Sequence, residues 1–190
     1  MRSHHILPGT RDLKPFKQGD MSMLCGLYSI LNSIQLVLYP HRLTRPQIQA
    51  IYLAAVQHLS RRRQLKRAIS EGLVYEVWAE LQIELLAYVN KAHGKSLIRI
   101  PALTGPAGRN RQRAVLTIKR QLWAGSPVLA GFGGLLDHYS VIAGYTERRL
   151  ILFDSAGLKW IQANNLGLGE GSRRTHWILP DQTMAIEDEW

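Results

Sequence analysis

The apolar residues of this 190-residue chain change their spacing part-way along. Up to about residue 93 they recur at intervals of three and four, the mark of helices buried along one face. Beyond residue 127 they fall in short β-rich runs divided by turn formers. Helices first and antiparallel strands second confine the chain to an α+β domain. Residues 24–38 carry apolar side chains at 24, 27, 28, 30, 31, 34, 37 and 38, and Pro40 stops the helix they predict. Thr44 reads as the N-cap of a second helix with Pro46 in its first turn. Ser70 is expected to cap a third, reaching about Ala92, with Gly94 as its stop. A short strand is expected at 96–100, a loop at 104–110, and a helix capped by Asn110 that runs to Trp123 before Gly125. Strands are predicted at 127–131, 138–145, 150–153, 159–162 and 176–179, with a loop over 164–172. The expected organisation is a single domain, 1–190, with a helical lobe at about 18–95 and a β lobe at about 96–185.

Cys25 stands alone, so neither an intrachain disulfide nor a Cys-rich zinc site is expected. The histidines show no ligand spacing such as HExxH, and no metal or cofactor is expected. The apolar-rich stretch 21–40 is broken by Gly26, Ser29, Asn32, Ser33 and Gln35, which argues against a membrane span. The first 13 residues lack the apolar core of a secretory signal. A cytoplasmic location, or export that needs no such signal, is the expectation. Lys and Arg number 24 against 14 Asp and Glu, a net charge of +10 that favours nucleic acid, an anionic surface or an acidic protein as partner. The basic segment 61–67 is a candidate anion contact, although such runs are more often solvated helix faces. Arg109, Arg111 and Arg113 form a second, sparser candidate.

The candidate chemistry starts from Cys25. It lies near the N-terminus of the first predicted helix, where free N–H groups and the helix dipole stabilise a thiolate. Gly26 would leave room for a substrate backbone beside the sulfur. Against this, a lone cysteine on a helix is usually a small buried hydrophobe. His138 opens a strand after a glycine-rich segment and can serve as base toward Cys25 and acid toward a leaving group. Asp154 follows the next strand and can orient the imidazole, the role of the third member of a triad. Its alternative is a turn-forming aspartate. A two-residue turn at Glu147-Arg148 would put Asp154 opposite Val141 and on the wrong face for His138. An odd loop or a bulge would set it opposite Ser140, so one of these is predicted. Gln18, seven residues before Cys25, is a candidate amide donor to an oxyanion, beside the backbone N–H of Cys25.

The order Gln18, Cys25-Gly26 opening a helix, His138-Tyr-Ser-Val-Ile-x-Gly-Tyr and Leu152-Phe-Asp-Ser resembles papain-like cysteine peptidases. It looks most like the bacterial branch that includes the bacteriocin leader peptidases. The match covers residues 18–32 and 137–157. The resemblance implies a papain-like fold with a cleft between lobes, and a thiol peptidase acting on a protein or peptide with Cys25, His138, Asp154 and Gln18 as its machinery. Similar Cys-His-Asp bacterial effectors deamidate glutamine side chains, which makes a deamidase the alternative and an acyltransferase a further one. A basic binding module without catalysis is the rival of a different class.

Overall fold

The computed structural model describes residues 3–20 and 22–189. A short strand β1 (His5–Ile6) and a single turn α1 (Gly9–Asp12), neither anticipated from the sequence, precede an extended segment that leads to α2 (Cys25–Val37). Then come α3 (Arg45–Arg61), α4 (Leu65–Ser70) and α5 (Tyr75–His93). Strand β2 (Leu97–Pro101) and a 3-10 turn (Gly105–Gly108) lead to α6 (Arg111–Trp123). The rest is β3 (Val128–Gly134), β4 (His138–Tyr145), β5 (Arg149–Leu152), β6 (Trp160–Gln162), β7 (Leu166–Leu168) and the long β8 (His176–Asp188). Eight strands form one sheet in the order β2-β8-β3-β4-β5-β6, with β1 on β4 and β7 parallel to β8. All other pairings are antiparallel, so the chain is α+β.

Helix α2 is buried almost all round, with Leu27, Ile30 and Ile34 fully enclosed, and it packs on β4, β8, β3 and α5. Four polar residues lie within that buried surface, and each is bonded internally. Ser29 Oγ donates to the Gly26 carbonyl (2.8 Å) and Ser33 Oγ to that of Ile30 (2.8 Å). Asn32 clamps the backbone of Phe16, accepting from its N–H at 2.7 Å and donating to its carbonyl at 3.2 Å. Gln35 Nε2 donates to the Lys14 carbonyl at 3.2 Å. Buried amides are tolerated only when paired. Here the pairing ties the segment before Cys25 to the helix that Cys25 begins. These residues interrupt the apolar run, and no helix of the described residues is long and apolar enough to cross a membrane.

Several local expectations hold. Gln47 Oε1 accepts from both the N–H and the Oγ1 of Thr44 at the start of α3. Asn110 Oδ1 accepts from the N–H of Arg113 (3.0 Å), and Gly94 ends α5 in the left-handed region (φ 60°). Others need correction. Ser70 does not cap α5: it ends α4, its Oγ returned to the Lys66 carbonyl. The chain turns at Gly72 (φ 91°), and Val74 precedes α5. The expected loop at 164–172 contains β7, and β8 continues nine residues beyond 179.

Gly26 is also not an opening for substrate. The Trp78 indole N–H donates to its carbonyl at 3.0 Å, and Trp78 stacks on Tyr139 with ring centroids 4.2 Å apart. A Cβ at Gly26 would lie 3.0 Å from Trp78, 3.1 Å from Leu73 and 3.2 Å from Tyr139. Its missing side chain lets this cluster close on α2. Overpacking costs about 1–3 kcal/mol, against a gain of at most about 1 kcal/mol for alanine in a helix. Gly26→Ala is therefore expected to lower stability by about 1 kcal/mol in urea denaturation; an unchanged or raised midpoint would contradict this packing.

Candidate active site

Cys25 is the first residue of α2 and is half-buried. The first N–H groups of a helix have no acceptor within it, and Leu24 supplies no side-chain cap. The sulfur therefore sits at a helix end that offers unpaired donors. His138, at the start of β4, hydrogen-bonds to Asp154 and lines the same cleft as Cys25, whose proximity bears on its protonation. The contact to the acid joins Nε2 to Asp154 Oδ2 at 2.7 Å. An ionised carboxylate only accepts, so Nε2 carries a proton and Nδ1 is the nitrogen left for the sulfur.

Asp154 has no exposed side-chain surface. Oδ2 accepts from His138 and from Ser140 Oγ (2.6 Å), and Oδ1 accepts from the N–H groups of Ala156 (2.8 Å) and Leu158 (3.0 Å). Burial alone would raise its pKa, but the bonds from His138, Ser140 and Leu158 and the charge of His138 outweigh burial and lower it. His138 is governed by the same opposition. Burial pushes its pKa down, while hydrogen bonds and charge from Asp154 and Cys25 carry it up to about 9.

A bulge brings acid and base together. Tyr145 faces Leu150 and Thr146 N–H donates to the Arg149 carbonyl (2.8 Å), so the turn at Glu147-Arg148 has two residues. That register alone would put Asp154 on the wrong face. Between Ile142 and Gly144 the pairing with β5 slips by one residue, leaving Ala143 as the extra residue of β4. The Phe153 N–H then donates to the Val141 carbonyl (2.8 Å), and Asp154 follows level with Ser140.

A second irregularity shapes the opposite wall. Ala130 of β3 faces Thr183 and Phe132 faces Ile178, so residues 179–182 of β8 bulge opposite Gly131 alone. Thr183 Oγ1 closes the bulge on the Leu179 carbonyl at 2.7 Å. Leu179 and Gln182 thereby line a cleft of about 260 Å³ shared with Cys25, His138 and Tyr139. Gly131 permits the approach: a Cβ there would fall 2.5 Å from Gln182 Oε1. Gln182 is a cleft amide that sequence reading missed, because it lies beyond Pro180, where the predicted strand stops. Gln18 is not among the residues lining this cleft. It is half-buried in the extended segment, with Oε1 buried and unbonded.

The cleft rim carries the carboxylates of Glu71, Asp137 and Glu170, although the chain is strongly cationic overall. Burial, then the charges of Cys25, Asp137, Glu76 and Asp181, raise the pKa of Tyr139 and keep it a neutral phenol. A wider groove of about 700 Å³ lies between α2 and α3, lined by residues such as Tyr28, Leu31 and Tyr52. Its lining holds no cysteine, histidine or carboxylate, so the candidate constellation lies at the smaller cleft. In comparisons with known proteins the chain matches no family model, no curated protein and no solved structure.

These couplings predict a pH response. His138 has a folded-state pKa above its ordinary 6.5, so the stability it contributes is complete below 6.5 and is lost as pH rises through about 9. A shift of that size corresponds to on the order of 3 kcal/mol. Asp154 works at the other end: its lowered pKa gives stability present above the ordinary carboxylate range and lost as pH falls below it. NMR titration of the His138 ring should give a midpoint near 9 that drops by more than one unit in Asp154→Ala. A midpoint indifferent to Asp154 would sever the pair.

Proposed function

We propose that the protein is a cysteine-dependent amide hydrolase of papain-like design, resembling the bacterial leader-peptidase branch, with Cys25, His138 and Asp154 as its triad. The observation that carries this reading is the buried, fully bonded carboxylate of Asp154 holding the imidazole of His138, which lines one cleft together with Cys25. A free histidine at neutral pH is mostly unprotonated, whereas one held up to about 9 is an imidazolium beside the sulfur. A thiolate is the reactive form of a cysteine, and an imidazolium is the partner such a reaction needs.

In the proposed reaction the thiolate attacks the amide carbonyl carbon. The carbon–sulfur bond forms and the carbonyl π pair moves onto oxygen. The backbone N–H groups at the start of α2 receive that oxyanion, assisted by a side-chain amide. Gln18 and Gln182 are the two candidates. Collapse breaks the carbon–nitrogen bond, and the leaving nitrogen takes its proton from Nδ1 of His138. Water, giving a proton back to His138, then attacks the thioester, which releases the acid and restores Cys25. Asp154 keeps the ring oriented through Nε2 and is not itself protonated.

A peptide bond in a protein or peptide is the first substrate reading. A second reading, deamidation of a glutamine side chain, is favoured by the cleft itself. Its volume of about 260 Å³ lies below the roughly 300–1,000 Å³ common for ligand pockets and suits one side chain. Both readings need the same triad. Cys25→Ser and His138→Ala should each lower amide hydrolysis by about a thousandfold or more. Newly exposed amino termini from a protein substrate identify peptidase action, and ammonia release identifies deamidation. Turnover indifferent to Cys25→Ser would dismiss the thiol mechanism, and no turnover by the wild type would favour a binding module.

A further inference from the structure

The two basic stretches singled out in the sequence fare differently in the fold. In the denser one, three arginines are already engaged: Arg61 with Glu84 (3.3 Å), Arg62 with Glu80 (2.8 Å) and Arg67 with Glu71 (3.2 Å). Around α6, by contrast, exposed Arg109, Arg113 and Arg120 have no ion pair among the described residues, and Lys119 lies over the Tyr145 ring at 5.0 Å. Glu147, which shares a depression with Lys119, is the carboxylate on that flank.

Helix α6 buries Ala114, Ile118 and Leu122. At 3.6 residues per turn, Arg113, Leu116, Arg120 and Trp123 fall within an arc of about 80° on the side away from that buried stripe. Leu116 is 40% and Trp123 46% exposed, although the Trp123 ring also meets that of His5 at 5.2 Å. The outward ridge therefore alternates cation and apolar tip along its length. Beside it, between α6 and the 3-10 turn, a depression of about 400 Å³ is lined by Arg113, Arg120, Thr104, Thr117 and Leu116. Two guanidinium groups with two hydroxyls form a donor set for a phosphate oxygen cluster.

We infer that the α6 face docks on an anionic phospholipid surface, with a headgroup phosphate seated in the depression by Arg113 and Arg120. Leu116 and Trp123 enter the boundary between headgroups and acyl chains. The cations alone would suit any polyanion. The apolar tips that alternate with the arginines decide for lipid over nucleic acid: an aliphatic side chain between two arginines and an aromatic one at the helix end gain by entering an interface, whereas a phosphodiester backbone offers Leu116 nothing. This inference does not depend on the chemistry at Cys25.

The test is sedimentation of the full chain with large unilamellar vesicles, either pure phosphatidylcholine or phosphatidylcholine with 30 mol% phosphatidylserine, at 0.1 M and 0.5 M salt. Binding is expected to the anionic vesicles only, and to weaken with salt. At about fivefold per cation, Arg113→Glu with Arg120→Glu should lower partitioning by about thirtyfold or more. Leu116→Ser should lower it by about tenfold. Arg61→Glu with Arg62→Glu, on the ion-paired stretch, should leave it unchanged. All changed residues are exposed, and circular dichroism melts verify folding. No binding to the anionic vesicles overturns the proposal, as does loss of binding in the Arg61/Arg62 variant rather than in the α6 variants. Tighter binding to a 20-base-pair DNA duplex, indifferent to Leu116→Ser, would assign the face to nucleic acid and overturn it equally.

Discussion

A buried carboxylate has to be satisfied on every lone pair, or its burial costs several kcal/mol. Asp154 meets that requirement with four donors, two from side chains and two from the backbone just after it. The imidazole of His138 is one of the four. Its orientation is thus fixed by the needs of the acid, which leaves its second nitrogen for the cleft that Cys25 lines. The order of dependence runs from carboxylate to ring to sulfur, which is why the two pKa shifts oppose what burial alone would do. Both ionised partners are kept charged by each other.

The carboxylate reaches its place only because the sheet is irregular. Side chains on a strand alternate between faces, so one slip of register moves a residue to the other side. The Ala143 bulge makes that slip between the hairpin turn and Asp154. The larger bulge at 179–182 performs a related task on the neighbouring strand pair and turns Leu179 and Gln182 into the cleft wall. Bulges gather where a side chain must be re-aimed, and both of these flank the paired strands β3 and β4. On the helical side, Asn32 and Gln35 perform the analogous work by fixing the segment that enters α2.

Much of this was legible in the residues. Apolar spacing located α2 and put Cys25 at its start. The count between His138 and Asp154 showed that a regular two-residue hairpin could not unite them, which left a bulge or an odd loop. What escaped was whatever depends on tertiary partners. Pro180 reads as the end of a strand because it cannot donate to a ladder, yet inside a bulge no such donor is needed, and β8 runs on past it to bring Gln182 into the cleft. Gly26 looked like space for a ligand, and the space is taken by Trp78, Leu73 and Tyr139, none of which its local sequence announces. Asp154 had two readings, turn former and partner of His138, and one oxygen accepts from the turn backbone while the other accepts from the imidazole.

The distribution of charge completes the picture, and composition could not supply it. A net charge of +10 suggests that any ligand would be anionic. Charges act mainly within a Debye length of about 8–10 Å at ordinary salt, so a ligand responds to the groups around its own site rather than to the sum over the chain. At the cleft those groups are Asp137 and Glu170, with Glu71 paired to Arg67 and His138 deeper in; along α6 they are arginines. On that distribution negative charge is disfavoured at the cleft rim and favoured along α6, and positive charge the reverse. The net excess of lysine and arginine therefore says nothing about the cleft, whose own rim has the opposite sign.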